Sequence, residues 1–258
     1  MKFSPIIYLI GMLLCILSLF MMIPAFVDWL YGNNDWPAFV GASLLTLFVG
    51  AILYLSNRDS TTEHLELRQA FLLTNSAWIS IALFGSLPFL LSDIDMSFID
   101  AFFESTSGIT TTGATVIEIL EAKSHGILIW RALLQWLGGV GIIVMALAVL
   151  PMLSIGGMQL FQSEFSSKEE KVLPRTKTIA AGIGVVYILL TILCSLSLFL
   201  TGMTLFDSIA HGMTILATGG FSTKDMSIGF FDSLYTAVFN PAKDKLHPAL
   251  FIIGSGNL

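Results

Sequence analysis

Two stretches of threonine and glycine hold the residue types in this chain best suited to binding chemistry. Asp100 to Val116 reads DAFFESTSGITTTGATV, and Asp207 to Thr223 reads DSIAHGMTILATGGFST. A shift of 107 positions lays Asp100 on Asp207, Gly113 on Gly220 and Arg68 on Arg175, and three coincidences at one offset argue for an internal repeat. In Ile109 to Val116 (ITTTGATV) and Leu216 to Thr223 (LATGGFST), small residues allow several backbone carbonyls to line a narrow path. Carbonyl oxygens can replace the hydration shell of a dehydrated monovalent cation, and threonine hydroxyls add ligands. The same residues also serve close helix packing or turns in membrane proteins, and spacing alone does not choose. Each stretch opens with a segment too short to cross a bilayer, which suits a re-entrant pore helix followed by a selectivity loop.

Glu104 and His211 fall inside the two short segments. Ionisable residues at membrane depth are candidates for cation coordination or proton relay, but here we read them as hydrogen-bonded anchors of the pore helices. Arg131 is expected to snorkel to the outer interface. Gly138-Gly139-Val140-Gly141 is read as a place where another helix approaches closely. Catalytic signals are sparse. His64, His125, His211 and His247 occur singly, and no HExxH, Walker-type or dinucleotide-binding glycine pattern is present, so the sequence predicts no enzyme and no organic cofactor.

The elements that must position the two stretches follow from hydropathy. With 55% hydrophobic and 12% charged residues and a mean hydropathy of +0.84, the chain is too apolar for one soluble core and reads as an integral membrane protein. No basic patch for nucleic acid appears. Cys15 and Cys194 lie in apolar runs and act as small hydrophobes. Uncharged runs at Pro5 to Val27 (23 residues), Pro37 to Ser56 (20), Gln69 to Ser92 (24), Ala132 to Ser163 (32) and Thr178 to Phe206 (29) predict five spans. The fourth is expected to end or bend at Pro151 and Gly156-Gly157.

Counting by side puts Lys2, Arg58, Arg68, Lys168, Lys171, Arg175 and Lys177 on one face and Lys123, Arg131 and Lys224 on the other. The positive-inside rule places the first set in the cytoplasm, with the N-terminus. Both Thr-Gly stretches then dip in from outside. Their pore helices direct partially negative C-terminal ends toward the bilayer centre, a favourable field for a cation and an unfavourable one for an anion.

At these residues the chain resembles the TrkH branch of the TrkH/KtrB superfamily of potassium transporters. Phe102 to Val116 is similar to that family's first filter, Leu133 to Leu160 to the inner helix after it, and Ala217 to Ser233 to the second filter with its exit. The Pro5 to Ser56 hairpin resembles the extra N-terminal pair of the TrkH type. The resemblance implies a pseudo-fourfold pore of four helix, pore-loop, helix repeats. It also implies transport of potassium, a homodimer in the lipid bilayer of the bacterial cytoplasmic (inner) membrane, and a cytosolic TrkA-type nucleotide-binding regulatory subunit. Carried onto this sequence, the potassium-facing positions are Thr111, Thr112 and Gly113 in the first loop and Thr218, Gly219 and Gly220 in the second.

The expected organisation is an all-α membrane protein. Residues 1–57 form a transmembrane hairpin, 58–163 a first pore repeat, 164–233 a second repeat lacking its inner helix, and 234–258 a divergent, non-spanning tail. After Ser233 the sequence departs from the family pattern, and the apolar stretch Pro248 to Gly254 is only 7 residues. A truncated product with its C-terminus outside is therefore expected. Alternatives are a non-transporting membrane protein that pairs with another transporter chain and, more remotely, a polytopic enzyme.

Overall fold

The structure is a computed structural model that describes residues 3–59, 67–149 and 172–231. It is helical, with no strand among the described residues. Helix α1 (Ser4–Tyr31) carries Pro5 in its first turn, where a missing N–H costs nothing, and closes on Gly32 in the left-handed region at φ 71°. Helix α2 (Trp36–Ser56) returns alongside it. The two backbones touch: a Cβ on Gly11 would stand 2.8 Å from the Gly50 carbonyl oxygen, and one on Gly50 would stand 3.0 Å from the Cys15 amide nitrogen. The Ser43 hydroxyl donates across the pair to the Ser18 carbonyl at 2.8 Å. Glycine and serine at the seam are what let two membrane helices approach so closely.

Helix α3 (Leu67–Gly85) is followed after Ser86 by a short turn of helix, α4 (Leu87–Leu91), so the third apolar run is broken near its end. Next comes the 12-residue helix α5 (Phe98–Ile109), then a loop, and then the long helix α6 (His125–Val149). Helix α7 (Val172–Leu200) leads into α8 (Leu205–Leu216), again of 12 residues. Among the described residues, five helices are long and apolar enough to cross a membrane. At about 1.5 Å per residue, α5 and α8 reach only about 18 Å, short of a hydrocarbon core of about 30 Å. Helix α6 is the most enclosed of the five candidate spans and α7 the least.

The expected fourth span is corrected at its start. Helix α6 begins at His125, so the stretch from His125 to Arg131 lies inside the helix. Its first turn is held by the hairpin. Asp28, fully buried near the end of α1, accepts hydrogen bonds from the Gly126 N–H at 2.5 Å, the Ser124 hydroxyl at 3.2 Å and Asn33 Nδ2 at 2.8 Å. A carboxylate on exposed N–H groups at a helix start complements the positive end of the dipole. The His125 ring stacks on Tyr31 at 3.9 Å and meets the edge of Phe206 at 4.7 Å. The expected bend at Pro151 and Gly156-Gly157, the basic loop residues Lys168 and Lys171, and the tail 234–258 lie outside the described residues.

Candidate functional site: two pore loops braced by one helix

The two short helices share their caps, their C-terminal turns and the backbone pattern of the loops that follow, at the 107 offset. Ser97 caps α5 by accepting from the Asp100 N–H at 3.2 Å while its hydroxyl donates to the Asp100 carboxylate at 2.7 Å. Thr204 caps α8 through Asp207 in the same way, at 3.1 and 2.7 Å. This reciprocal cap, with an acid in the first turn, fixes where each helix begins. Each helix ends in a Schellman motif. Thr112 N–H reaches back to the Ser107 carbonyl at 2.9 Å and Thr111 N–H to Gly108 at 3.0 Å; Gly219 bonds to Thr214 and Thr218 to Ile215, both at 2.9 Å.

The motif needs a left-handed residue at its pivot, where glycine is usual. Here the pivots are threonines, Thr111 at φ 57° and Thr218 at φ 53°. A β-branched residue in that region is strained by about 1–3 kcal/mol, so its recurrence at both repeat positions marks a conformation that the surroundings enforce. Two residues on, Gly113 and Gly220 both have φ 80°, while Thr112 and Gly219 between them do not have positive φ. Positive φ thus recurs at every second residue along each loop, which is not the geometry of an extended strand. The loops leave the C-terminal ends of α5 and α8, where the helix dipole is negative.

Glu104 and His211 share one repeat position; expected as hydrogen-bonded anchors of the pore helices, each ties its helix to the segment returning from its own loop. Glu104 accepts from the Thr115 hydroxyl at 2.9 Å and the Val116 N–H at 3.0 Å. His211 Nε2 lies 2.9 Å from the hydroxyl of Ser222, the repeat counterpart of Thr115, and His211 Nδ1 lies 2.8 Å from the Asp207 carbonyl. Asp207 also accepts from the Thr223 hydroxyl at 2.6 Å.

The expectation that Arg131 snorkels to an interface is overturned. Its side chain is 1% exposed, and its Nε donates to Glu104 at 2.7 Å, Glu104 being 0% exposed. Its Nη1 donates to the Ser222 carbonyl at 2.8 Å, and the guanidinium lies 4.1 Å from the centroid of the Phe221 ring. The physical reason is the early start of α6, which carries Arg131 behind both loops, where a carboxylate, a carbonyl and an aromatic face replace water. One turn further, Gln135 contacts the second loop through Gly219 and Phe221. Two turns on, the glycines serve the close approach expected of them: Gly138 abuts the Ile109 carbonyl, and a Cβ on Gly139 would stand 3.2 Å from Ala217. Tyr187 of α7 donates to the Trp136 carbonyl at 3.2 Å beside them.

Sequence reasoning missed Arg131 and Gln135 as structural centres. The signal was there: a cation and an amide four residues apart share one face of a helix, and neither belongs on a lipid-facing surface. Among the described residues no cluster of His, Cys, Asp and Glu could hold a metal ion.

Comparison with known proteins fits this geometry. The model of the TrkH family, described as a cation transport protein, matches residues 36–240. The chain belongs to the TrkH family. The TrkH-type Trk system potassium uptake protein of Vibrio parahaemolyticus is 44% identical over 264 residues, covering 98% of this chain and 54% of that relative. The TrkH protein of Escherichia coli K12 is 42% identical over 236 residues, covering 90% of this chain and 49% of its own length. The crystal structure of the potassium transporter TrkH from V. parahaemolyticus superposes with a TM-score of 0.79 at 41% identity, covering 90% of this chain and 47% of that one. The chain therefore spans about half the length of the TrkH relatives it matches. It is a multi-pass membrane protein of this family, and the all-α, membrane-spanning architecture expected from hydropathy is the one observed.

Proposed function

We propose that this chain supplies two of the pore loops of a potassium-uptake transporter of the Trk type, and that Thr111, Thr112, Gly113, Thr218, Gly219 and Gly220 line the ion path through their backbone carbonyls. The observation that carries this reading is the matched backbone of the two loops: the same strained threonine pivot, the same glycine at φ 80° and the same pair of return hydrogen bonds in each. A single loop of this shape could be a packing accident; two at one repeat offset, each fed by a helix C-terminus, suit a path for a cation. Two loops enclose an ion from two sides, so the remaining oxygens come from two further loops, in the same polypeptide or in a partner chain.

In this reading the chain lies in a bacterial cytoplasmic membrane with its N-terminus inside, and Arg58 and Arg68 belong to the cytoplasmic face. A homodimer and a cytosolic TrkA-type nucleotide-binding subunit complete the system, potassium is the transported ion, and neither catalysis nor an organic cofactor enters. The test is potassium-limited growth and rubidium uptake in cells lacking their own potassium uptake systems and expressing the 258 residues. Saturable uptake that disappears in a Thr112→Val/Gly113→Ser double variant supports the reading. No rescue, with the protein present in the membrane, contradicts transport by this chain alone and favours a non-transporting partner of another transporter chain.

A further inference from the structure

The ion-path reading gives Gln135 no task, yet this side chain is fully buried and makes two hydrogen bonds to the second loop. Its Nε2 donates to the Gly219 carbonyl at 2.7 Å, and its Oε1 accepts from the Phe221 N–H at 3.1 Å. Both partners are backbone groups of fixed polarity, so they determine the orientation of the amide. The clamp spans Gly220, the residue at φ 80°, and holds the peptides on either side of it.

The fit leaves no room for change. A Cβ built on Gly219 would collide with the carboxamide of Gln135. Gly219 does not have positive φ, so glycine is required there by the approach of Gln135 rather than by backbone conformation. At the matching position of the first loop stands Thr112, whose hydroxyl lies 2.8 Å from that of Thr110. The first loop is braced from its own pore helix, where the Ser107 hydroxyl donates to the Ala114 carbonyl at 2.5 Å. Thr214, the repeat counterpart of Ser107, donates instead to the His211 carbonyl at 3.1 Å. Besides the tie from His211 of its own pore helix to Ser222, the second loop thus takes a brace from the inner helix of the first repeat.

Resting on the ion-path reading, we propose that Gln135 is a positioning residue that sets the discrimination of the second loop between potassium and sodium. A carbonyl oxygen has two lone pairs; with one committed to Gln135, the oxygen of Gly219 is held at a fixed reach, and the other remains for the ion. Sodium is the smaller ion and requires the oxygens to close in on it. A loop braced from behind resists that movement, and a loop freed of the brace permits it.

The test uses the full chain in cells lacking their own potassium uptake, with rubidium uptake competed by potassium or sodium, and in parallel the thermal stability of the purified protein in potassium and in sodium chloride. Gln135→Met keeps the shape of the side chain and removes both hydrogen bonds; Gln135→Glu keeps the acceptor for Phe221 and removes the donor to Gly219. In each, the ratio of sodium to potassium needed for half-competition is expected to fall by roughly fivefold or more, the effect of losing a hydrogen bond of ordinary strength. A loss of folded protein alone lowers the uptake rate and leaves this ratio unchanged. Should Gln135→Met fail to reach the membrane, Gln135→Glu is judged by the same criterion. An unchanged ratio overturns the role of Gln135 and leaves the ion path standing. If the parent protein shows no potassium-specific uptake and no potassium-specific stabilisation, the ion-path reading falls and this inference falls with it.

Discussion

Replacing Arg131 by methionine distinguishes the structure from the sequence expectation most sharply. In the structure the substitution removes a charge from a pair whose members are 1% and 0% exposed and strands Glu104 with only the Thr115 hydroxyl and the Val116 N–H. It also frees the Ser222 carbonyl and the Phe221 face, so both loops lose a tie at once. Breaking a buried pair from one side costs about 3–5 kcal/mol. For a domain of 150–250 residues each kcal/mol moves Tm by roughly 2–4 °C, which predicts a fall of about 6–20 °C in detergent-solubilised protein. The double variant Arg131→Met/Glu104→Gln removes the stranded charge as well and is expected to recover most of that loss, giving a coupling above about 2 kcal/mol in a double-mutant cycle. The assay is thermal unfolding followed by intrinsic fluorescence for the parent, both single variants and the double variant. An Arg131→Met protein that melts within about 1 °C of the parent, with no coupling to Glu104, would refute the buried bridge and restore an interfacial arginine.

Four further substitutions probe other links. Gly113→Ser places a side chain at φ 80° in the first loop and is expected to relax the preference for potassium over sodium, measured by competition of rubidium uptake; unchanged preference would remove Gly113 from the path. Asp28→Ala leaves the Gly126 N–H, the Ser124 hydroxyl and Asn33 without their common acceptor and is expected to cost about 1–3 kcal/mol, read as a lowered Tm; a neutral result would mean that the hairpin does not hold the start of α6. Ser97→Ala and Thr204→Ala each remove one reciprocal cap and are each expected to cost about 1 kcal/mol, with nearly equal falls in Tm; a large inequality would argue against structural equivalence of the repeats.

Much of this architecture was legible because a bilayer imposes simple rules on sequence. Length and apolarity set the five spans, and one repeat offset aligned not only Gly113 with Gly220 but also, unnoticed at that level, Glu104 with His211 and Thr115 with Ser222. The anchoring role of Glu104 and His211 followed from the cost of burying a polar group without partners. What stayed hidden depended on where helices begin and what lies beside them. The charge on Arg131 made the run from Ala132 look like the start of a span, whereas Asp28, distant in sequence, fixes the helix start at His125. Once that register is set, Arg131 reaches Glu104, 27 residues away in α5, and Arg131 and Gln135 reach the second loop, 91 and 84 residues away. Gly219 illustrates the same limit: the sequence offers it as one of the small residues of a carbonyl-lined path, and only the structure shows that a neighbouring carboxamide occupies the space a side chain would take.

In the proposed function the two Thr-Gly loops face one cation path with their carbonyls. Crystals of the protein soaked with thallium or rubidium test it most directly by anomalous scattering. Ion density is expected within coordination distance of carbonyls from both Thr111–Gly113 and Thr218–Gly220, displaced by potassium and weakened in Gly113→Ser. Ion density confined to side chains elsewhere, or absent between the loops at concentrations that saturate uptake, would contradict it.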